Sequence, residues 1–165
     1  MAIEIERKFL VTSEDWKPLV VARKRLRQAY LARPGKASLR VRIVDDTAAS
    51  LTIKSRGART SRLEFEYPIP IDDGLFLLDL REGHLLSKVR HIVRFAGSTW
   101  EVDVFEGDNA GLVIAELELE HEQQSFVRPP WIGREITHEE RYSNSRLAQQ
   151  SFRSFTAEEM HEGVH

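Results

Sequence analysis

Cysteine is absent from the 165-residue chain. That excludes disulfide frameworks, thiolate metal sites and cysteine nucleophiles, so any metal must be held by oxygen or imidazole. Long hydrophobic runs are absent too. No segment approaches a bilayer span, and the opening MAIEIERKFLV lacks the basic-then-apolar order of a secretory signal. No membrane association is expected, and the protein is expected to stay in the cytoplasm. Net charge is nearly absent: 24 Lys and Arg against 26 Asp and Glu give −2, which argues against a bulk electrostatic hold on nucleic acid. Internal repeats and low-complexity tracts are also missing.

Three local patterns invite other readings and are set aside. Arg23, Lys24, Arg25 and Arg27 form a basic run, read as the solvated start of a strand, so no nucleic-acid partner is expected. His161, Glu162 and His165 spell the zinc-protease pattern HExxH, but a tail with Gly163 at its centre does not supply the buried helix that brings both imidazoles to one face. Trp100, Phe105 and Trp131 could stack a base, yet aromatics in such apolar settings are more often core.

What the chain has is a soluble globular composition, 41% hydrophobic and 30% charged, at a length that suits one compact domain. We read residues 1–155 as that domain and 156–165, polar and aperiodic, as a flexible tail. Period-two alternation, the mark of a half-buried antiparallel strand, recurs in about eight segments, approximately 3–11, 26–33, 37–46, 49–56, 61–69, 87–96, 99–106 and 112–121. Asp45 with Asp46, and Ala96 to Ser98 around Gly97, supply turn residues, so sequence neighbours are expected to be sheet neighbours. Helices are expected from Ser13 to about Arg23, from Asp72 to Leu80 and from Glu139 to about Phe152.

The polar faces of these strands carry the information. Alternation puts Glu4, Glu6 and Lys8 on one face, Arg40 and Arg42 on the next, then Lys54, then Arg62, Glu64 and Glu66. Lys88, Arg90 and Arg94 follow, then Glu101 and Asp103, and finally Glu116, Glu118 and Glu120. A solvent-facing sheet would mix in many neutral polar residues, whereas these faces are dominated by full charges of both signs. On any single strand that pattern suits a solvated face with weak cross-strand ion pairs. Repeated over most strands, it suits a sheet closed into a barrel with its charges inside and its apolar faces covered outside by helices. Such an interior needs water, a polyanion or metal ions to balance it. Arginine and lysine suit phosphate oxygens, and carboxylates suit hard divalent cations, so Mg2+ or Mn2+ with a polyphosphate satisfies both signs.

The ExExK pattern of Glu4, Glu6 and Lys8 resembles the start of the CYTH superfamily, the triphosphate tunnel metalloenzymes. The similarity continues through QAYL at 28–31, LRVRI at 39–43, LTIKS at 51–55, RLEFEYPIP at 62–70, WEVDVFEG, AELELE and the closing PPWIGREIT with RYSN, over roughly residues 1–150. The resemblance implies an α+β, mainly β fold: an eight-stranded antiparallel barrel with a charged tunnel and helices packed outside. It implies divalent-metal chemistry on a small triphosphate-containing substrate, with no protein partner required, in a monomer or homodimer. By that similarity Glu4, Glu6, Glu116 and Glu118 hold the metals, with Glu64 and Asp103 as further metal-side candidates. Arg40, Arg42, Lys54, Lys88, Arg90 and Arg62 hold phosphates, Lys8 lies beside the terminal phosphate and the attacking water, and Tyr30 is an aromatic cover. The expected reaction is hydrolysis of inorganic triphosphate. Class IV-type adenylate cyclase, thiamine triphosphatase and a non-catalytic polyphosphate-binding module are the alternatives.

Overall fold

The computed structural model describes residues 3–32, 35–55 and 61–155. The HExxH letters and the 156–165 tail lie outside them. Nine strands form: β1 (Ile3–Val11), β2 (Val20–Ala32), β3 (Ala37–Val44), β4 (Ala48–Ser55), β5 (Ser61–Ile69), β6 (Glu82–Phe95), β7 (Ser98–Phe105), β8 (Val113–Glu118) and β9 (Ile132–Glu135). Two helices join them, α1 (Ile71–Leu78) and the one-turn α2 (Asn144–Leu147).

The neighbour order is β5-β4-β3-β2-β6-β7-β8-β1, and β1 pairs back onto β5, which closes an antiparallel ring of eight. Period-two sequence and short turns dictate this arrangement. Asp45 and Asp46, at φ 50 and 57, turn β3 into β4, and Ala96 with Gly97, at φ 48 and 80, turns β6 into β7. Closure is staggered. One edge of β1 pairs with β8 from Glu6 to Leu10, while the other is shared, Ile3–Ile5 going to β5 and Phe9–Val11 to β9. Between those contacts the Lys8 backbone is satisfied by the closing segment: its N–H donates to Thr137 Oγ1 at 3.0 Å and its carbonyl accepts from Ile136 N at 2.8 Å.

The largest aromatic core lies outside the barrel wall. Phe9, Trp100, Val102 and Leu117 face outward and are covered by Trp16, Leu119 and Trp131, with Trp100 edge-on to Trp131 at 5.6 Å and to Phe9 at 5.8 Å. A second outer cluster, Ala29, Val41, Ile43 and Ala49, sits under α1 through Leu78. A third closes one end of the barrel, where Tyr30, Leu86 and Phe105 meet Ile136, Tyr142 and Leu147 of the closing segment. No helix among the described residues is long and apolar enough to cross a membrane.

Two helical expectations are corrected. Ser13–Arg23 is not a helix: only a 3-10 turn forms at Lys17–Leu19, and β2 starts at Val20 because its residues pair with β6, Val20 opposite Val93. Glu139–Phe152 holds only α2, capped by Ser143 accepting from Arg146 N, between 3-10 turns at Glu140–Tyr142 and Phe152–Ser154. Its apolar residues serve the end cluster, so tertiary packing rather than helix periodicity sets its path. The short strand β9 was not foreseen, four residues being too few for alternation to register.

Gly74 gives a test of the α1 packing. A Cβ there would lie 2.5 Å from Ala49 Cβ and 2.9 Å from Ile43 Cδ1. Alanine gains about 1 kcal/mol in helix propensity, but the overpacking cost of about 1–3 kcal/mol should outweigh it. Gly74→Ala is therefore expected to lower the thermal midpoint, and a raised midpoint would show that α1 can lift off the wall freely.

Candidate active site

Directly opposed residues of antiparallel strands share a face, and the register carries the charges around the inside of the ring. Glu4 stands opposite Arg62, Glu6 opposite Glu118 and Lys8 opposite Glu116. Glu116 then faces Glu101, Asp103 faces Arg90, and Lys54 faces Glu64. The chamber they enclose measures about 190 Å³. Its cationic wall comes from Arg40, Arg42, Lys54 and Arg90, and its acidic wall from Glu4, Glu6, Glu64, Glu101, Glu116 and Glu118, with Lys8 between them.

Burial makes these charges interdependent. Lys54 Nζ forms an ion pair with Glu4 Oε1 at 2.7 Å and lies 3.5 Å from Glu6 Oε1. Lys8 Nζ bridges Glu6 and Glu116 at 3.5 and 3.6 Å, and Arg62 reaches Glu6 at 3.5 Å. Burial alone would depress the Lys8 ammonium, but Glu116 and Glu6 outweigh it and hold its pKa above the ordinary lysine range. Burial alone would likewise raise Glu6, and Lys8 with Lys54 reverses that.

Two sets of charge stay uncompensated. Among the described residues no carboxylate pairs with Arg40 or Arg42. Arg40 donates to Thr52 Oγ1 at 3.2 Å while its buried Nε has no partner, and Arg42 Nε donates to the Gln28 carboxamide at 2.9 Å. Burial, reinforced by Arg40 and Arg90, depresses the Arg42 guanidinium, the signature of a cation short of an anion. On the acidic wall Glu118 and Glu64 have no ion-pair partner among the described residues. Partial burial and the carboxylates of Glu4, Glu6 and Glu116 raise the Glu118 pKa, the signature of anions short of a cation.

The acidic wall is the place a metal would occupy. Its donors are all carboxylate oxygens, which suit a hard divalent ion, and Glu118 is strained by like charge in a way that such an ion relieves. No three acidic or imidazole groups among the described residues converge as they stand; the Lys8 and Lys54 ammonium groups neutralise part of the set. We conclude that the chemistry of the residues fits a divalent cation.

Four expected site residues are not on the chamber wall: Arg62 lines an adjoining cavity, and Lys88, Asp103 and Tyr30 lie elsewhere. Lys88 and Asp103 lie behind the wall, fully buried, 2.7 Å apart, and Asp103 also grips Arg90 through two hydrogen bonds of 2.8 and 2.9 Å. Those cations hold the Asp103 carboxyl far below the usual carboxylate range against the effect of burial. Both Asp103 oxygens are thus committed to Lys88 and Arg90. Tyr30 packs in the apolar end cluster instead of covering the chamber. The chamber includes three residues absent from the expected set: Glu66, Glu101 and Asn144. Glu66 and Glu101 lay on the right faces of their strands and were legible there. Asn144, whose Oδ1 is 3.4 Å from Lys88 Nζ, arrives on α2 from a segment without periodicity.

Fold and site together define a class: antiparallel eight-stranded barrels whose inner wall carries opposed ionic groups around a small solvated chamber. The CYTH domain family matches residues 2–152, and the chain belongs to it. A relative named inorganic triphosphatase from Acetivibrio thermocellus is 42% identical over 156 residues, covering 94% of this chain and 99% of its own. Another of that name, from Nitrosomonas europaea, is 39% identical over 150 residues, covering 88% and 96%. The solved structure of the inorganic triphosphatase NE1496 has a TM-score of 0.67 at 36% identity, covering 90% of this chain and 95% of that one.

Two predictions follow from the buried triad. Asp103→Asn leaves Lys88 as an unpaired interior charge and takes from Arg90 its two shortest carboxylate bonds, with Glu101 at 3.1 Å and Glu116 at 3.9 Å remaining, and is expected to cost about 3–5 kcal/mol in urea denaturation; Lys88→Met, which keeps the Asp103–Arg90 pair, should cost less than half as much. Equal losses would show that the triad is not the structural unit described. The second prediction is a pH dependence. Burial, opposed by Asp103, pushes the Lys88 pKa down to about 8, below the value of about 10.4 in an unfolded chain. Between those values the unfolded state holds the proton and the native state does not, so this contribution to stability grows as pH rises through that window. Lys88→Met should lose the growth between about pH 8 and 10, and parallel stability profiles for the two proteins would contradict a native Lys88 that sheds its proton there.

Proposed function

We propose that the protein hydrolyses inorganic triphosphate to pyrophosphate and orthophosphate, using Mg2+ or Mn2+. One observation carries the reading. The chamber presents uncompensated guanidinium groups on β3 across from uncompensated carboxylates on β5 and β8, a pattern that a metal-bound polyanion satisfies and neither ion satisfies alone. The lining also favours an inorganic substrate over a nucleotide: none of the described residues around the chamber is aromatic, so no ring stacks a base. The relatives named inorganic triphosphatase agree with this choice.

In this reading Arg40, Arg42, Arg90 and Lys54 bind the phosphate oxygens and fix the chain of three phosphates in line for attack. Glu4, Glu6, Glu116 and Glu118 would hold a divalent ion, which would supply charge neutralisation and a lowered pKa for water. Lys8, kept protonated by Glu116 and Glu6, places a full positive charge beside the terminal phosphoryl group as negative charge shifts toward the leaving pyrophosphate. A water oxygen adds to the terminal phosphorus, the bridging P–O bond breaks with its electron pair going to pyrophosphate, and one water proton is released. Asp103 and Lys88 act from behind by fixing Arg90.

The test compares inorganic triphosphate, thiamine triphosphate and ATP side by side with Mg2+ or Mn2+, with product analysis. Orthophosphate release chiefly from inorganic triphosphate is expected. Cyclic AMP from ATP, or metal-independent binding without turnover, would replace this reading with a cyclase or a binding module. Glu4→Gln and Glu116→Gln should abolish metal-dependent turnover with the fold intact. Arg40→Ala should chiefly raise KM, because its bonds to phosphate are made in ground and transition states alike.

A further inference from the structure

A second cavity of about 150 Å³ adjoins the chamber where β1 leaves β5, under the closing segment. Lys8 belongs to the wall of both cavities. Three features mark this vestibule as an anion site. The buried Nε of Arg62, on its wall, has no hydrogen-bond partner. Hydroxyl groups of Ser38 and Ser145 line it, and such groups bind phosphate oxygens well. Arg146, also on the wall, is half exposed and only loosely held, its Nη1 3.7 Å from Glu140 Oε2. The carboxylates present oppose this charge weakly: Glu139 is taken by Arg134, and among the described residues the Glu140 ion pair is that long contact. The other opening of the chamber is acidic, with Glu66 and Glu118 exposed there, so a phosphate dianion leaving that way would pass a row of like charges.

We propose that the vestibule is an orthophosphate subsite through which the cleaved terminal phosphate leaves before pyrophosphate. The inference rests on the triphosphatase reading, in which the terminal phosphoryl group lies beside Lys8. Orthophosphate is then formed at the threshold of the vestibule, while pyrophosphate is still held by Arg40 and Arg42. Arg62 supplies the unused donor at the inner side, and Arg146 exchanges Glu140 for the departing anion at the outer side. Weak binding suits a group that must be released at every turnover.

The order of release has a kinetic signature. Added orthophosphate should lower kcat even at saturating triphosphate, whereas pyrophosphate should only raise the apparent KM. Arg146→Gln should weaken orthophosphate inhibition about tenfold with kcat/KM for triphosphate within about twofold, and Arg153→Gln, the same charge change on an exposed residue outside the vestibule, should not alter it. Orthophosphate acting purely as a competitor of triphosphate, or unchanged inhibition in Arg146→Gln, would overturn the proposal. Selective loss of tetrapolyphosphate turnover in Arg146→Gln with orthophosphate inhibition intact would also overturn it, by assigning the vestibule to incoming chain. Phosphorus NMR of orthophosphate titrated onto metal-free protein, with and without pyrophosphate, reads the subsite independently of turnover: binding lost in Arg146→Gln supports it, and no binding to wild type rejects it. Absence of triphosphate turnover in every variant would instead sink the parent reading and leave that titration to decide the vestibule.

Discussion

The structure depends on keeping full charges inside a closed barrel. Two unit charges about 4 Å apart interact by about 1 kcal/mol in water and several times that in a partly buried site, and an interior ion left alone costs several kcal/mol. The chain meets this in two ways at two depths. Behind the wall the Asp103 carboxylate is shared between Lys88 and the wall residue Arg90, with Lys88 and Asp103 sealed from water, while Arg90 also reaches Glu101 at 3.1 Å. Facing the chamber, Lys8 and Lys54 stand among three glutamates, Glu4, Glu6 and Glu116, at contacts of 2.7 to 3.6 Å, longer on the whole and open to exchange. The first arrangement is rigid and the second adjustable, which is the division expected between a support and a binding surface.

Turning the charges inward sends the hydrophobic core outward. In most small barrels the interior is filled by apolar side chains, whereas here Trp100, Phe9 and Leu117 point away from the axis and need covers of their own. Long, irregular connections supply them: the stretch carrying Trp16 and the one between β8 and β9 carrying Trp131. Their apparent disorder in sequence is the consequence of folding back over a wall rather than continuing a sheet. Only at one end does the interior become apolar, and there the closing segment brings Ile136, Tyr142 and Leu147 onto Tyr30 and Leu86.

This division explains what the sequence made legible. Strand faces follow from alternation alone, so Glu4, Glu6, Lys8, Arg40, Arg42, Arg90, Glu116 and Glu118 could be assigned to one inner wall before any register was known. Depth along the axis could not. Period two gives the face of Lys88 and Asp103 but not that they sit behind the wall, because depth depends on stagger between strands, which only pairing defines. Tyr30, expected as a cover from the resemblance alone, packs in the apolar end cluster. The expected helix at Ser13–Arg23 failed because Val20 onward finds a partner in β6, a long-range pairing invisible to local capping signals. Asn144 and β9 come from segments whose positions are set wholly by what they cover.

The two uncompensated sets of charge explain why the inner wall would be poor as a simple anion trap. If the chamber only bound polyphosphate, Glu118 and Glu64 would repel it, and their replacement by neutral residues would strengthen binding. If it only bound a cation, Arg40 and Arg42 would oppose the ion from the same chamber wall. Together the two sets oppose each ion taken singly and favour the pair, so that occupancy by one raises affinity for the other through charge rather than through movement of the backbone. Under the proposed function a wall of mixed sign suits a complex of metal and polyanion better than either ion alone: burial and neighbouring cations push the Arg42 pKa down, burial and neighbouring carboxylates push the Glu118 pKa up, and each direction points to a partner of opposite sign.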